Sequence, residues 1–158
     1  MAKAGFLAKL HQEGKLMLVE PNDNLKKAYF IRGEESLSSA KALQRIGNLK
    51  DAVALAYYAM YHTLLGFLFQ VGIKCENHSA AIILLQKLFS IPNETLTRAK
   101  EERIDKQYYV DFNITQKDTK DAIQTAERFI AEIKDSSERK MNQDILAIRK
   151  GFEELVSP

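Results

Sequence analysis

The residues best equipped for chemistry lie in and around one uncharged stretch. From Ala52 to Ile73, AVALAYYAMYHTLLGFLFQVGI, there is no Asp, Glu, Lys or Arg, although 28% of the chain is charged. The polar groups in its middle are Tyr57, Tyr58, Tyr61 and His62. Beyond it come the run CENHSA, with Cys75 and His78, and a charged run that carries Arg103, Asp105 and Tyr108. An imidazole titrates near neutrality and can move a proton at pH 7; a tyrosine, with its ordinary pKa near 10, is a poor base there. An arginine can hold a phosphate oxygen or stabilise charge developing on one. These residue types suit phosphate recognition or phosphoryl chemistry.

Other chemistries find little support. No two of the three histidines, His11, His62 and His78, stand at ligand spacing, so no metal site is expected. The single cysteine, Cys75, excludes an intramolecular disulfide framework and a cysteine-based zinc site. It follows a lysine and has no base placed beside it in sequence, which argues against a nucleophile. Glycine-rich phosphate loops are absent, and no cofactor is expected. A net charge of +2 makes no demand for nucleic acid. Along the second helix, however, Lys26, Lys27, Arg32, Lys41, Arg45 and Lys50 outnumber Asp23, Glu34 and Glu35. That face either meets phosphates in a salt-dependent way or is simply solvated. One cysteine fits a reducing compartment, and MAKAGFLAKLHQEGK does not read as a signal peptide, so a cytoplasmic location is expected.

The elements that must position these groups are helices. Steps of three and four predict a short helix from Ala4 to about His11, then a long one from the caps Asn22, Asp23 and Asn24 to Ile46. Its expected buried stripe is Leu25, Ala28, Tyr29, Ser36, Leu37, Ala40, Leu43 and Ile46, interrupted by Gly33. The uncharged stretch is the third helix. It is long enough to span a membrane, but its tyrosines lie in the middle and not at the ends, so a buried central helix is expected and no membrane partner. One stripe, Ala52, Leu55, Ala56, Ala59, Met60, Thr63, Leu64, Phe67 and Val71, invites close packing; Tyr58, His62, Leu65 and Phe69 form another. A fourth helix starts at Asn77 or His78, a fifth follows Asn93, and Thr115 with Asp118 opens a sixth through a capping box. The composition shifts at Asp135-Ser136-Ser137. Met141, Ile145, Ile148, Phe152 and Leu155 then make a narrow seam on a polar helix. The fold expected is all-α: an up-down bundle of four to five main helices around the central apolar one. Its expected extent is 1–135, with a core over 24–134 and a C-terminal helical appendage over 136–158.

The run AYYAMYHTLL from Ala56 to Leu65, the CENHSA that follows, Arg103-Ile104-Asp105 with Tyr108, and the amphipathic helix over Ala122 to Ile133 resemble the HEPN (higher eukaryote and prokaryote nucleotide-binding) family. EESLSSAKAL, Glu34 to Leu43, is similar to that family's first long helix. The resemblance is to the small stand-alone archaeal and bacterial branch. It implies a homodimeric helical module, partnered by a nucleotidyltransferase-like protein in a toxin–antitoxin-like pair. It also implies a nucleotide or RNA cleft, placed at Tyr58, His62, His78, Arg103 and Tyr108. Active members are metal-independent ribonucleases with an arginine followed four to six residues later by a histidine. Here the matching positions after Arg103 hold Tyr108, Tyr109 and Val110, so that motif is not intact and no catalytic residue is assigned. A ribonuclease with a degenerate motif is the alternative, and a structural adaptor without ligand a further one. The competing structural roles are plain: His62 donating to a carbonyl, His78 capping a helix, Arg103 pairing with Asp105, and Tyr57 and Tyr61 as core or interface aromatics.

Overall fold

A computed structural model describes the backbone of residues 2–108 and 113–158 and the side chains of residues 5–103 and 113–158. Among these residues the chain forms α1 (Ala2–Gln12), β1 (Leu16–Leu18), α2 (Asp23–Arg45), α3 (Leu49–Gln70), β2 (Ile73–Cys75), α4 (His78–Phe89), α5 (Glu94–Tyr108), α6 (Gln116–Glu138) and α7 (Asn142–Val156). The all-α reading holds. The helix boundaries follow local chemistry. Asn22 accepts from the Leu25 amide and Asn77 from the Ala80 amide, while Thr115 and Asp118 close a reciprocal capping box.

The central helix is α3, with α2, α5 and α6 packed around it. It is the one helix among the described residues long and apolar enough to cross a membrane, and 72% of its apolar window is buried inside the bundle. Protein surrounds it. Its small-residue stripe is buried almost throughout, whereas Tyr58, His62, Leu65 and Phe69 are all half-buried. The second stripe therefore runs along an open edge of the bundle, and that edge is where the polar side chains emerge.

The packing seam of α2 differs from the expected one. Leu25 is 37% exposed and Ile46 is 73% exposed, and Ala28 also faces solvent. Ala40 is buried and Leu37 packs on the core as expected, but Gly33 is buried too, and Phe30 packs beside it. The reason is close approach. A Cβ at Gly33 would sit 2.9 Å from the Ala59 carbonyl, and one at Gly66 would sit 2.9 Å from the Lys26 carbonyl. The glycine that looked like an interruption is the contact. Asn93, just before α5, donates its side-chain amide to the Ile82 carbonyl at 2.9 Å and ties the start of α5 back to α4.

Two further features depart from the expected elements. The link at Leu16 and the loop after Gly72 pair as a short antiparallel sheet, Leu16 opposite Cys75 and Leu18 opposite Ile73. Runs this short show no alternation, and their partners lie far apart in sequence. The break placed at Asp135-Ser136-Ser137 falls inside α6, whose last turn buries both serines. Ser137 Oγ donates to Gln70 Oε1 at 2.6 Å and Gln70 Nε2 donates to the Ser137 carbonyl at 3.0 Å, so the ends of α3 and α6 hold each other. After the turn, α7 lies against α1 and α4 and buries Phe152 completely.

Candidate functional site

Where α3, α4 and α5 meet, the polar groups of the uncharged stretch gather with two residues from elsewhere. Tyr57 is buried, and its hydroxyl lies 2.7 Å from His78 Nδ1 at the start of α4. The Tyr61 ring stacks on the same imidazole, with centroids 3.8 Å apart and planes 20° apart. From α5, the Arg103 guanidinium carbon stands 5.3 Å from the Tyr57 ring centre and 5.4 Å from that of Tyr58. Its Nη1 donates to the Tyr58 hydroxyl at 3.2 Å. One turn before Arg103, Lys100 Nζ donates to Ser79 Oγ at 2.7 Å. His62 completes the line by stacking on Tyr58, with centroids 6.0 Å apart.

Electrostatics favours neutral histidines and protonated tyrosines here. Burial pushes His78 below its ordinary value, and Arg103 and Lys100 push it the same way. Burial lowers His62 too, with Arg32 and then His78 adding to it. Burial raises Tyr57 and Tyr61 well above the usual phenol range. With His78 neutral and Tyr57 protonated, a hydroxyl donating to Nδ1 leaves the ring proton on Nε2. Among the described residues, the charged neighbours that act on the two imidazoles are cations, Arg103 and Lys100 for one and Arg32 for the other. The arrangement suits an anion.

Of the residues expected in a cleft, Tyr58, His62, His78 and Arg103 come together, and the Tyr108 side chain lies outside the described residues. So does Asp105, the expected partner of Arg103. The simpler role for His78 is corrected, because Asn77 caps α4 while His78 bonds Tyr57. His62 Nδ1 makes no hydrogen bond, so that atom does not donate to a carbonyl. Sequence reasoning missed Tyr57 and Tyr61 as partners of His78, and Lys100 with Ser79. Tyr57 and Tyr61 stand on one helix face, four apart, and this was the available signal; what they face depends on the fold.

The remaining candidates are structural. His11 donates from Nδ1 to the Leu16 carbonyl at 2.9 Å and meets Phe152 edge-on. Cys75 is buried, its thiol is pushed up to about 11 chiefly by burial, and Sγ donates to the Asn77 carbonyl. It is a poor source of thiolate at neutral pH. No group of three or more metal-binding side chains occurs among the described residues. On the basic face of α2, Lys26 and Lys27 pair with Asp23 and hold its carboxyl below the usual range, while Lys41 pairs with Glu127. Beside the cluster, a cavity of about 440 Å³ opens between α5 and α6, with Val53, Ala56, Tyr57 and Met60 along the α3 side.

An all-α bundle around one apolar helix, with tyrosines, histidines and an arginine gathered where three helices meet, defines a small helical-bundle domain with one polar cluster. Residues 27–136 match the HEPN domain, and the chain belongs to the HEPN family. It is also 43% identical over 49 residues to a UPF0332 protein of Pyrococcus horikoshii, a match spanning 31% of this chain and 34% of that relative. The matched segment thus covers about a third of the curated relative's length.

Proposed function

We propose that the chain is a HEPN-type interaction module that works in the cytoplasm as a homodimer. Its partner is a nucleotidyltransferase-like protein in a toxin–antitoxin-like pair. Its cluster at the start of α4 takes the phosphate of a nucleotide or of RNA. Family membership supports the module. The phosphate reading rests above all on Arg103, a guanidinium held between two tyrosine rings beside His78 and close to Lys100. A cation so placed can turn a free donor to a phosphate oxygen with little reorganisation.

One observation favours the ribonuclease alternative. Arg103 and His78 are far apart in sequence, yet Tyr57 bridges them. An arginine and a histidine brought together from two helices could replace a motif carried on one. Against catalysis, His78 Nδ1 is held by the Tyr57 hydroxyl 2.7 Å away, so that nitrogen is not free to act as a base. The test is to measure RNA binding and RNA cleavage side by side for the purified protein and for Arg103→Ala. The expected result is binding weakened by the substitution and no cleavage by either protein. Cleavage by the wild type that vanishes in Arg103→Ala would sink the binding-module reading in favour of the ribonuclease. Stable complex formation with a co-expressed nucleotidyltransferase-like protein, and a particle mass of twice 18.0 kDa for the isolated chain, test the two partner assignments.

A further inference from the structure

Among the described residues, two buried side-chain polar atoms lack hydrogen-bond partners, His62 Nδ1 and Arg103 Nε. Buried polar atoms in folded proteins are nearly always bonded, so each orphan needs a reason. Here both belong to side chains lying against one ring, that of Tyr58. Its plane is 24° from that of His62, and Arg103 Cζ stands 5.4 Å from its centre. Tyr58 is only half-buried, on the open-edge stripe of α3, so its ring reaches the surface. A flat ring with a hydrogen-bonding edge, stacked on an imidazole and met by a guanidinium, is in the setting that proteins use for an unpaired base.

We infer that Tyr58 occupies the position of a nucleobase, and that the ligand of this site is an unpaired nucleotide whose base displaces the Tyr58 ring and stacks on His62. This rests on the phosphate reading of the cluster and adds a base to it. With Tyr58 swung outward, Arg103 loses its phenol partner and gains donors for the phosphate, near Lys100 and Ser79 at the start of α4. A base inside a duplex is already stacked on both faces and does not fit this exchange. Free mononucleotides and single-stranded RNA ends share the required chemistry.

The test is calorimetric titration of AMP and ribose 5-phosphate into wild type, Tyr58→Ala and Arg103→Ala. Tyr58→Ala is expected to gain about tenfold more affinity for AMP than for ribose 5-phosphate, the scale of one base stack, because both ligands meet the freed Arg103 but only AMP brings a base. Arg103→Ala should weaken both ligands. Hexa-adenylate binding tighter than AMP would identify RNA as the source, and equal binding a free nucleotide; either supports the inference. A folded Tyr58→Ala that binds AMP no tighter, or that gains equally for ribose 5-phosphate, overturns the displaced-ring inference and leaves the phosphate reading standing. No binding of either ligand by any of the three proteins overturns the phosphate reading itself. Nitration of wild-type Tyr58 by tetranitromethane, read by mass spectrometry, needs no variant. AMP should increase it by freeing the ring, and protection by AMP would contradict the displacement.

Discussion

At the scale of single residues, the cluster is an arrangement for keeping two imidazoles uncharged. Burial is the first cause for both, and nearby cations act in the same direction. Folded values below the ordinary histidine value mean that the unfolded chain takes up protons first on acidification. Stability is therefore complete above about pH 6.5 and is lost as pH falls through the folded values. Urea midpoints should decline from pH 7 to 5.5, before carboxylates begin to titrate. His62→Phe, which keeps a ring against Tyr58 and Tyr29, should flatten that decline; an unchanged slope would mean that His62 does not contribute. Tyr57→Phe tests the bridge instead. It removes the hydroxyl and leaves His78 Nδ1 without its partner, which should cost about 1–2 kcal/mol in urea unfolding. His78→Ala should cost no further bond energy in that background, since the bond it would break is already gone.

At the scale of elements, α2 and α3 are set by two glycines placed reciprocally. Gly33 lets α2 meet Ala59 and Thr63, and Gly66 lets α3 meet Lys26 and Phe30. On an isolated helix Gly→Ala would stabilise by about 1 kcal/mol. Here the added carbon would meet a backbone carbonyl of the facing helix at 2.9 Å, and a carbonyl cannot turn aside as a side chain can. Gly33→Ala should therefore destabilise by about 1–3 kcal/mol, the usual cost of overpacking, read from urea midpoints. A gain in stability would mean that the helices move apart freely. The same pair marks how far the elements were legible in sequence. α3 could be read because it lacks charge from Ala52 to its end, and α6 because Thr115 and Asp118 cap it while its stripe stays regular. The middle of the α2 seam was legible at Leu37 and Ala40, but its ends were misread because a hydrophobic pattern takes Leu25 and Ile46 as core and treats Gly33 as a gap. The β1–β2 pair was invisible, because three residues carry no period and the pairing joins Leu16 to Cys75. The site was legible as a set, Tyr58, His62, His78 and Arg103, but the Tyr57–His78 bond that organises it depends on where α4 docks.

At the scale of the whole molecule, the question is what α7 does for a bundle whose family match ends at residue 136. A polar helix with a narrow seam reads as an appendage, but its contacts are with the bundle's own ends. Arg149 Nη1 donates to the carbonyls of Val19, Val71 and Gly72, at 2.7, 3.0 and 3.1 Å. It thus places a cation on the C-terminal end of α3, where backbone carbonyls lack helical partners and the helix dipole is negative. Gly72, at φ +79°, leaves no room for a side chain there, since Arg149 and the Val19 carbonyl fill the space. Phe152 is wholly buried among the core residues that include Leu7 and Leu85. If α7 only carried a partner seam, Arg149→Met and Phe152→Ala would change the stability of the isolated chain by less than about 0.5 kcal/mol, as surface substitutions do. Its packing predicts otherwise. Phe152→Ala should cost about 3–5 kcal/mol through lost burial and the cavity left behind. Arg149→Met, which keeps the apolar stem, should cost about 1.5–3 kcal/mol through the lost charged hydrogen bonds. Both are measured as shifts of the urea midpoint at constant slope, so that changed compactness is not mistaken for changed stability. Particle mass measured on the same samples separates the two roles: α7 packed on its own bundle leaves assembly unchanged in both variants. A drop to half mass without loss of stability would place the helix at a subunit interface instead.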